Sequence, residues 1–506
     1  MQELLRRIIS AQDSACETLG TILQCVDRML AWYDVREGKA LVFSSLEFIF
    51  RFLPIFLIVY YLVPARFRNI VLLIGSIIFY TLGDYKYLIL LILSAIVNYI
   101  AAKNIRRRVV PSKKKAWLIA ALIYNFGMLF FFKYINFTIE NINGIFNIFS
   151  SQIHLSALKM GLPLGISFYT FQAVSYIVDV YRGDIEEEPS IFNLATYLFM
   201  FPKLVSGPIT PYKEIREQLT YRRIPSFKVE EGLKVFTIGL AMKVLLADRI
   251  GILWNDIQTI GFISISTPLA WLGALGYTLQ LYFDFHGYTL MAIGIGKMLG
   301  FELPLNFKHP YMSKSMTEFW RRWHITLGRW FKDYIYIPLG GNRKGTGRLI
   351  LNLLVVWLFT GLWHGASWNY ILWGLSLFLL ILLEKLWMKP YLEKSRVLAR
   401  LYMLLVIPVT WMLFAINNFG DMGTYLGRMF HLVSGVNVNT GDFVKYLGQY
   451  KWLFLIGIFF CFPYGQRWFE KHKHNVLCTV ILFFVFWYCI YQLANGINNP
   501  FMYFQF

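Results

Sequence analysis

Formal charge is scarce in this chain: only 15% of its 506 residues are Asp, Glu, Lys or Arg, against roughly 25% in typical soluble domains. With 57% of the residues hydrophobic, that scarcity excludes an ordinary water-soluble globule. Acidic residues are the rarer sign, 29 against 49 Lys and Arg, for a formal net charge of +20. The excess does not point to nucleic acid, because the Lys and Arg residues fall mostly in short links between apolar segments, where positive charge fixes topology. Cysteine is sparse: Cys16, Cys25, Cys461, Cys478 and Cys489 show no CxxC or other metal spacing, so they read as packing residues without a disulfide framework. There is no HExxH, no GxSxG elbow and no GxxxxGK[ST] loop, which leaves metal hydrolases, serine hydrolases and phosphate-loop enzymes without support. No fixed-period repeat stands out.

What is present is a succession of apolar runs approaching the roughly 20 residues that cross a bilayer. They lie near 46–63, 69–82, 86–102, 116–133, 160–180, 191–209, 233–247, 265–283, 349–363, 368–389, 400–416, 451–463 and 476–494. The fold class is therefore all-α and polytopic, with backbone polar groups satisfied inside helices. Several runs are short, which predicts broken or re-entrant segments. Residues 1–40 differ, with six acidic and five basic residues scattered through them; they read as an amphipathic surface helix or an upstream extension, with Leu41 opening the membrane domain at 41–506. The cluster Arg106, Arg107, Arg108, Lys113, Lys114, Lys115 belongs in the cytosol, and counting forward places the acidic link RGDIEEEP (182–189) there too.

From Leu349 to Leu383 no Asp, Glu, Lys or Arg occurs, yet His364 sits in the middle, in GLWHGASWNY. As one helix the run would be roughly 52 Å long against a hydrocarbon core of about 30 Å, so it must break. Gly361, Gly365, Ala366 and Ser367 place the break at His364. Each arm is too short to reach the far headgroups comfortably, which predicts His364 below the surface and lining a cavity. Position alone leaves two readings equal: a reaction site, or a histidine bonding a loosened carbonyl. Imidazole adds a group that, when neutral, takes a proton from a hydroxyl as general base.

The stretch MTEFWRRWHITLGRWFKDYIYIPLGGNRKGTGR (316–348) repeats Met316, Phe319, Trp320, Trp323, Leu327, Trp330, Phe331 and Tyr334 at three- and four-residue steps, with Glu318, Arg322, Arg329 and Asp333 opposite. This spacing predicts a basic amphipathic helix in the interface plane or at a funnel mouth, with His324 on its aromatic side. GGNRKGTGR reads as a flexible cytosolic link in which Arg343, Lys344 and Arg348 are candidate phosphate contacts. His286 and His309 have no evident partner in the sequence, and His154, His431, His472 and His474 lie in connecting segments.

FWRRWHITLGRWFKDYIYIPLGGNR followed by TGLWHGASWNYILWG resembles the paired signature of the membrane-bound O-acyltransferases, in the bacterial branch similar to the membrane subunit of alginate O-acetylation. LVFSSLEFIFRFLP, FPKLVSGPIT (201–210), LYFDFHGYTLMAIGIGKMLGF (281–301) and NPFMYFQF extend the resemblance over nearly everything from Leu41 onward. It implies about eleven transmembrane helices with re-entrant and interfacial pieces around a central funnel. It also implies that His364 is the catalytic histidine and His324 the second active-site position, with Trp320, Arg321, Trp323, Asp333, Asn342, Arg343, Trp363 and Asn369 as candidate substrate contacts. The implied reaction needs neither metal nor bound cofactor: an acyl group, acetyl from acetyl-CoA or a similar short thioester, passes from the cytosol to a hydroxyl on the other side. The acceptor is an extracytoplasmic polysaccharide or a partner of the SGNH hydrolase type or the polysaccharide-export apparatus, and the location is the bacterial cytoplasmic membrane, in contact with lipid and not with nucleic acid. Where that branch reads FDFSGYSDMA, this chain reads FDFHGYTLMA, with Leu290 closer to relatives that transfer D-alanine to teichoic acid from a carrier protein. Those relatives lack the IPLGGNR continuation, so acetyl transfer is favoured and D-alanyl transfer is the alternative. Outside the family, a transporter of polysaccharide precursors predicts charges in several spans and paired broken helices, and a scaffolding subunit is a third reading.

Overall fold

A computed structural model describes residues 41–149, 153–496 and Met502. The extension at 1–40 lies outside the described residues, and with it Cys16 and Cys25. Among the described residues all regular structure is helical, and six helical segments are long and apolar enough to cross a membrane. The expected count of eleven is not reproduced, because helices at several of the predicted segments are short or interrupted: 191–209 ends its first helix at Phe199 and turns at Met200, and 233–247 passes through a π-helical turn at Met242–Ala247.

Eight helices position the site. We label them α1 (Pro111–Ile148), α2 (Ile166–Arg182), α3 (Thr267–Met298), α4 (Met316–Arg322), α5 (Ile325–Phe331), α6 (Thr346–His364), α7 (Trp368–Leu383) and α8 (Arg396–Ala415). Proline at the first position of α1 starts it where its missing N–H loses nothing. The helix then runs 38 residues, roughly 57 Å, far beyond the expected 116–133 and longer than the hydrocarbon core. The central helix is α3, most of whose residues are buried. It is locked by an ion triad in which Lys243 Nζ lies 2.6 Å from Asp248 Oδ1 and 2.7 Å from Asp284 Oδ1. All three side chains are almost wholly buried, where ions require such pairing. Asp284 Oδ2 also accepts from the Met502 amide at 3.0 Å.

Ion pairs gather the links expected in the cytosol. Arg106 lies 3.6 Å from Glu187, Arg216 3.3 Å from Glu186, and Lys213 3.8 Å from Asp179. RGDIEEEP therefore shares a face with the Arg106 cluster, as the positive-charge count predicts. Asp333 joins it through its carbonyl, which accepts from Arg182 at 3.2 Å.

The 316–334 stretch corrects an expectation. It is not one amphipathic helix at an interface: α4 ends at Arg322, and α5 begins at Ile325 after His324 in left-handed backbone, φ 46° and ψ 52°. Its aromatic stripe is buried rather than laid on lipid, with Phe319, Trp323, Leu327, Trp330 and Phe331 all in the interior. The cause lies elsewhere in the chain. The 306–308 segment inserts beside the break: Asn306 O accepts from Ile325 N at 2.9 Å, Asn306 Oδ1 from Thr326 Oγ1 at 2.7 Å, and Arg322 O from Lys308 N at 2.9 Å. Those bonds satisfy the backbone that an unbroken helix would have satisfied itself.

Candidate active site

The apolar run breaks where the small residues predict. Helix α6 ends at His364, Gly365 is extended at φ −169°, and α7 begins at Trp368. The two arms return against each other as a hairpin, so close at the crossing that a Cβ on Gly361 would strike the Tyr370 carbonyl and one on Gly374 the Trp357 carbonyl. Glycine is required there by the approach of two backbones. The first arm is 19 residues long and the second continues past Leu383 through a π-helical turn to Lys394, 27 residues in all, so both are long and apolar enough to cross a membrane and neither is as short as the sequence run suggested. His364 at the apex is 4% exposed.

Three aromatic rings stand edge-on to the His364 imidazole: Trp363 at 5.0 Å, Trp373 at 5.1 Å and Phe414 at 5.2 Å between centroids. Asn369 holds this cage together, its Nδ2 donating to Phe414 O at 3.0 Å. Trp320 packs 5.6 Å from Trp373, one layer out. Trp363 stands between the two histidines, since its ring is also 5.8 Å from His324. His324 is 1% exposed, and Phe285 of α3 lies 4.8 Å from its ring. A pocket of about 100 Å³ opens onto His364, walled by Lys133, Ser167, Phe168, Val205 and Trp363 and by the 162–166 chain. It lies at the end of α6 remote from the Arg106 face.

The candidates thus divide. Trp320, Trp363 and Asn369 surround the two histidines, and Trp323 packs against Phe307 and Trp411 at 4.9 Å each, behind them. Arg321, Asn342 and Arg343 are exposed, and Asp333 is bound through its carbonyl to Arg182 on the face that carries Arg106. Two site residues escaped the sequence. Asn306, in NFKHPY, builds the His324 break and carries no local signal. Lys133 had looked like the end of a span, whereas α1 continues to Ile148 and brings its ammonium to the His364 turn. His309, without an evident partner in the sequence, pairs through Nε2 with Gln466 Oε1 at 2.8 Å.

Two buried imidazoles thus stand around one tryptophan, one of them in the wall of a small pocket, and a neutral imidazole is chemically able to take a proton. The profile of the membrane-bound O-acyltransferase family matches residues 184–419, which contain both histidines. A probable alginate O-acetylase of Pseudomonas putida is 39% identical over 396 residues, covering 77% of this chain and 80% of its own length. A peptidoglycan O-acetyltransferase of Helicobacter pylori is 36% identical over 422 residues, covering 75% and 77%. A teichoic acid D-alanyltransferase of Streptococcus thermophilus is 30% identical over 258 residues, covering 46% and 60%. The chain belongs to the membrane-bound O-acyltransferase family and is an O-acyltransferase, a multi-pass membrane protein.

Proposed function

We propose that this enzyme moves an acetyl or similarly short acyl group from a cytosolic thioester, acetyl-CoA being the donor of choice, to a hydroxyl presented from the opposite side of the bacterial cytoplasmic membrane. The observation that carries the reading is the position of His364: the end of a broken helix, in a pocket wall, remote from the basic face where a phosphate-bearing thioester collects. His364 takes the proton of the acceptor hydroxyl as its oxygen attacks the thioester carbonyl, and the thiolate departs and is reprotonated. His324, across Trp363, orients or polarises the carbonyl. A thioester is already activated, so a fixed neutral base with water excluded supplies much of what remains. Arg321, Asn342 and Arg343, all exposed, are the residues we assign to the donor's phosphates at the cytosolic surface.

The acceptor is an envelope polysaccharide or a partner protein of the SGNH type that passes the group on. Relatives named for O-acetyl transfer share about three quarters of this chain and the D-alanyltransferase under half, which supports acetyl over D-alanyl. Proteoliposomes loaded with radiolabelled acetyl-CoA on the cytosolic side test this directly, with candidate glycans and partner outside. Label on an external hydroxyl, absent with His364→Ala, is the expected result; D-alanyl transfer from a charged carrier protein without acetyl transfer would overturn the choice of donor.

A further inference from the structure

Between Lys115 and Glu140 the chain carries a single charged residue, Lys133. An ionisable side chain inside such a run marks a functional site more often than a packing accident. Lys133 Nζ is 2.6 Å from Trp363 O, 3.2 Å from His364 O and 3.4 Å from Ser167 Oγ. The next residue, Tyr134, donates its hydroxyl to Leu362 O at 2.6 Å. Together they cover three successive carbonyls at the end of α6, the groups a helix C-terminus leaves without an internal partner. A cation there also complements the negative end of the helix dipole.

We propose that Lys133 is a positioning residue for the acyl transfer: its ammonium fixes the last turn of α6 and so sets where the His364 ring stands. This rests on the reading of His364 as the base. An ammonium has three N–H donors, and here three oxygens lie in their reach, so the group is engaged with the helix end and α2 rather than held out to a ligand. The hairpin has no side-chain cap of its own at Ser367, and Gly365 leaves the turn loose; the restraint comes from α1. Without it the freed carbonyls draw water into the pocket and the imidazole swings off its line to the hydroxyl.

The test compares Lys133→Met, which removes the donors, with Lys133→Arg, which keeps a cation able to meet two carbonyls, in the full chain in detergent. One readout needs no substrate: amide hydrogen exchange across 362–368, which should rise about tenfold in Lys133→Met and stay near native in Lys133→Arg. The other is turnover of acetyl-CoA, whose kcat should fall about 10²-fold in Lys133→Met, with KM unchanged and recovery in Lys133→Arg. Unchanged exchange in Lys133→Met, or a rise in KM with kcat retained, would overturn the proposal. If Lys133→Met does not fold, Lys133→Gln takes its place and is judged by the same exchange and kcat. His364→Ala run alongside separates the two readings: native turnover in that variant defeats the base, while the exchange comparison still decides the role of Lys133.

Discussion

The molecule holds its two site histidines at two helix breaks of different origin. At 364–368 the break is written locally: Gly361, Gly365, Ala366 and Ser367 interrupt an apolar run too long for one crossing, and His364 itself keeps helical backbone. At 322–325 nothing local announces it, for neither glycine nor proline lies between Met316 and Leu327, and His324 takes left-handed backbone. There a distant segment, led by Asn306, supplies the bonds. One break is imposed by length and composition, the other by tertiary structure, and both serve to bring an imidazole to the same tryptophan.

The largest expected effect falls on chemistry at the first break. His364→Ala should lower turnover about 10²- to 10⁴-fold, the usual worth of a general base, while His324→Ala, removing an orienting group, should lose less; steady-state rates at matched folding decide. Next in size is the hairpin crossing. Gly361→Ala forces a methyl against the Tyr370 carbonyl and should destabilise the protein by about 1–3 kcal/mol, read from thermal unfolding in detergent. A smaller and sharper contrast separates the two histidine backbones. Glycine relieves left-handed strain, so His324→Gly should be more stable than His324→Ala by about 1 kcal/mol; His364→Gly should be less stable than His364→Ala by about 0.5–1 kcal/mol. The same sign at both positions would erase the distinction. The smallest effects belong to the exposed link, where Arg343→Ala should leave stability within about 0.5 kcal/mol and show itself only as a higher KM for the thioester.

Much of this was legible in the sequence, where the signal was local. Val476–Ala494 spans the expected segment to the residue, the hairpin turns at the glycines, and RGDIEEEP meets Arg106 on one shared face. The 316–334 periodicity identified the buried aromatic stripe correctly but not its break, because a period of 3.6 says which side is apolar and not whether another chain segment cuts the ladder. Lys133 was hidden for a related reason. A lysine in an apolar run resembles the end of a span, and only the tertiary approach of α1 to α6 turns it into a cap. The roles of the two histidines came from family resemblance rather than spacing, since position alone left His364 divided between base and plug.

The central claim, that His364 at the hairpin apex is the base for acyl transfer, is tested most directly by chemical rescue. Acetyl-CoA turnover is measured for native protein and His364→Gly, with and without added imidazole. The account predicts loss in the variant and partial return with imidazole, which fits the space the side chain vacates. Turnover in His364→Gly equal to native without imidazole would contradict it.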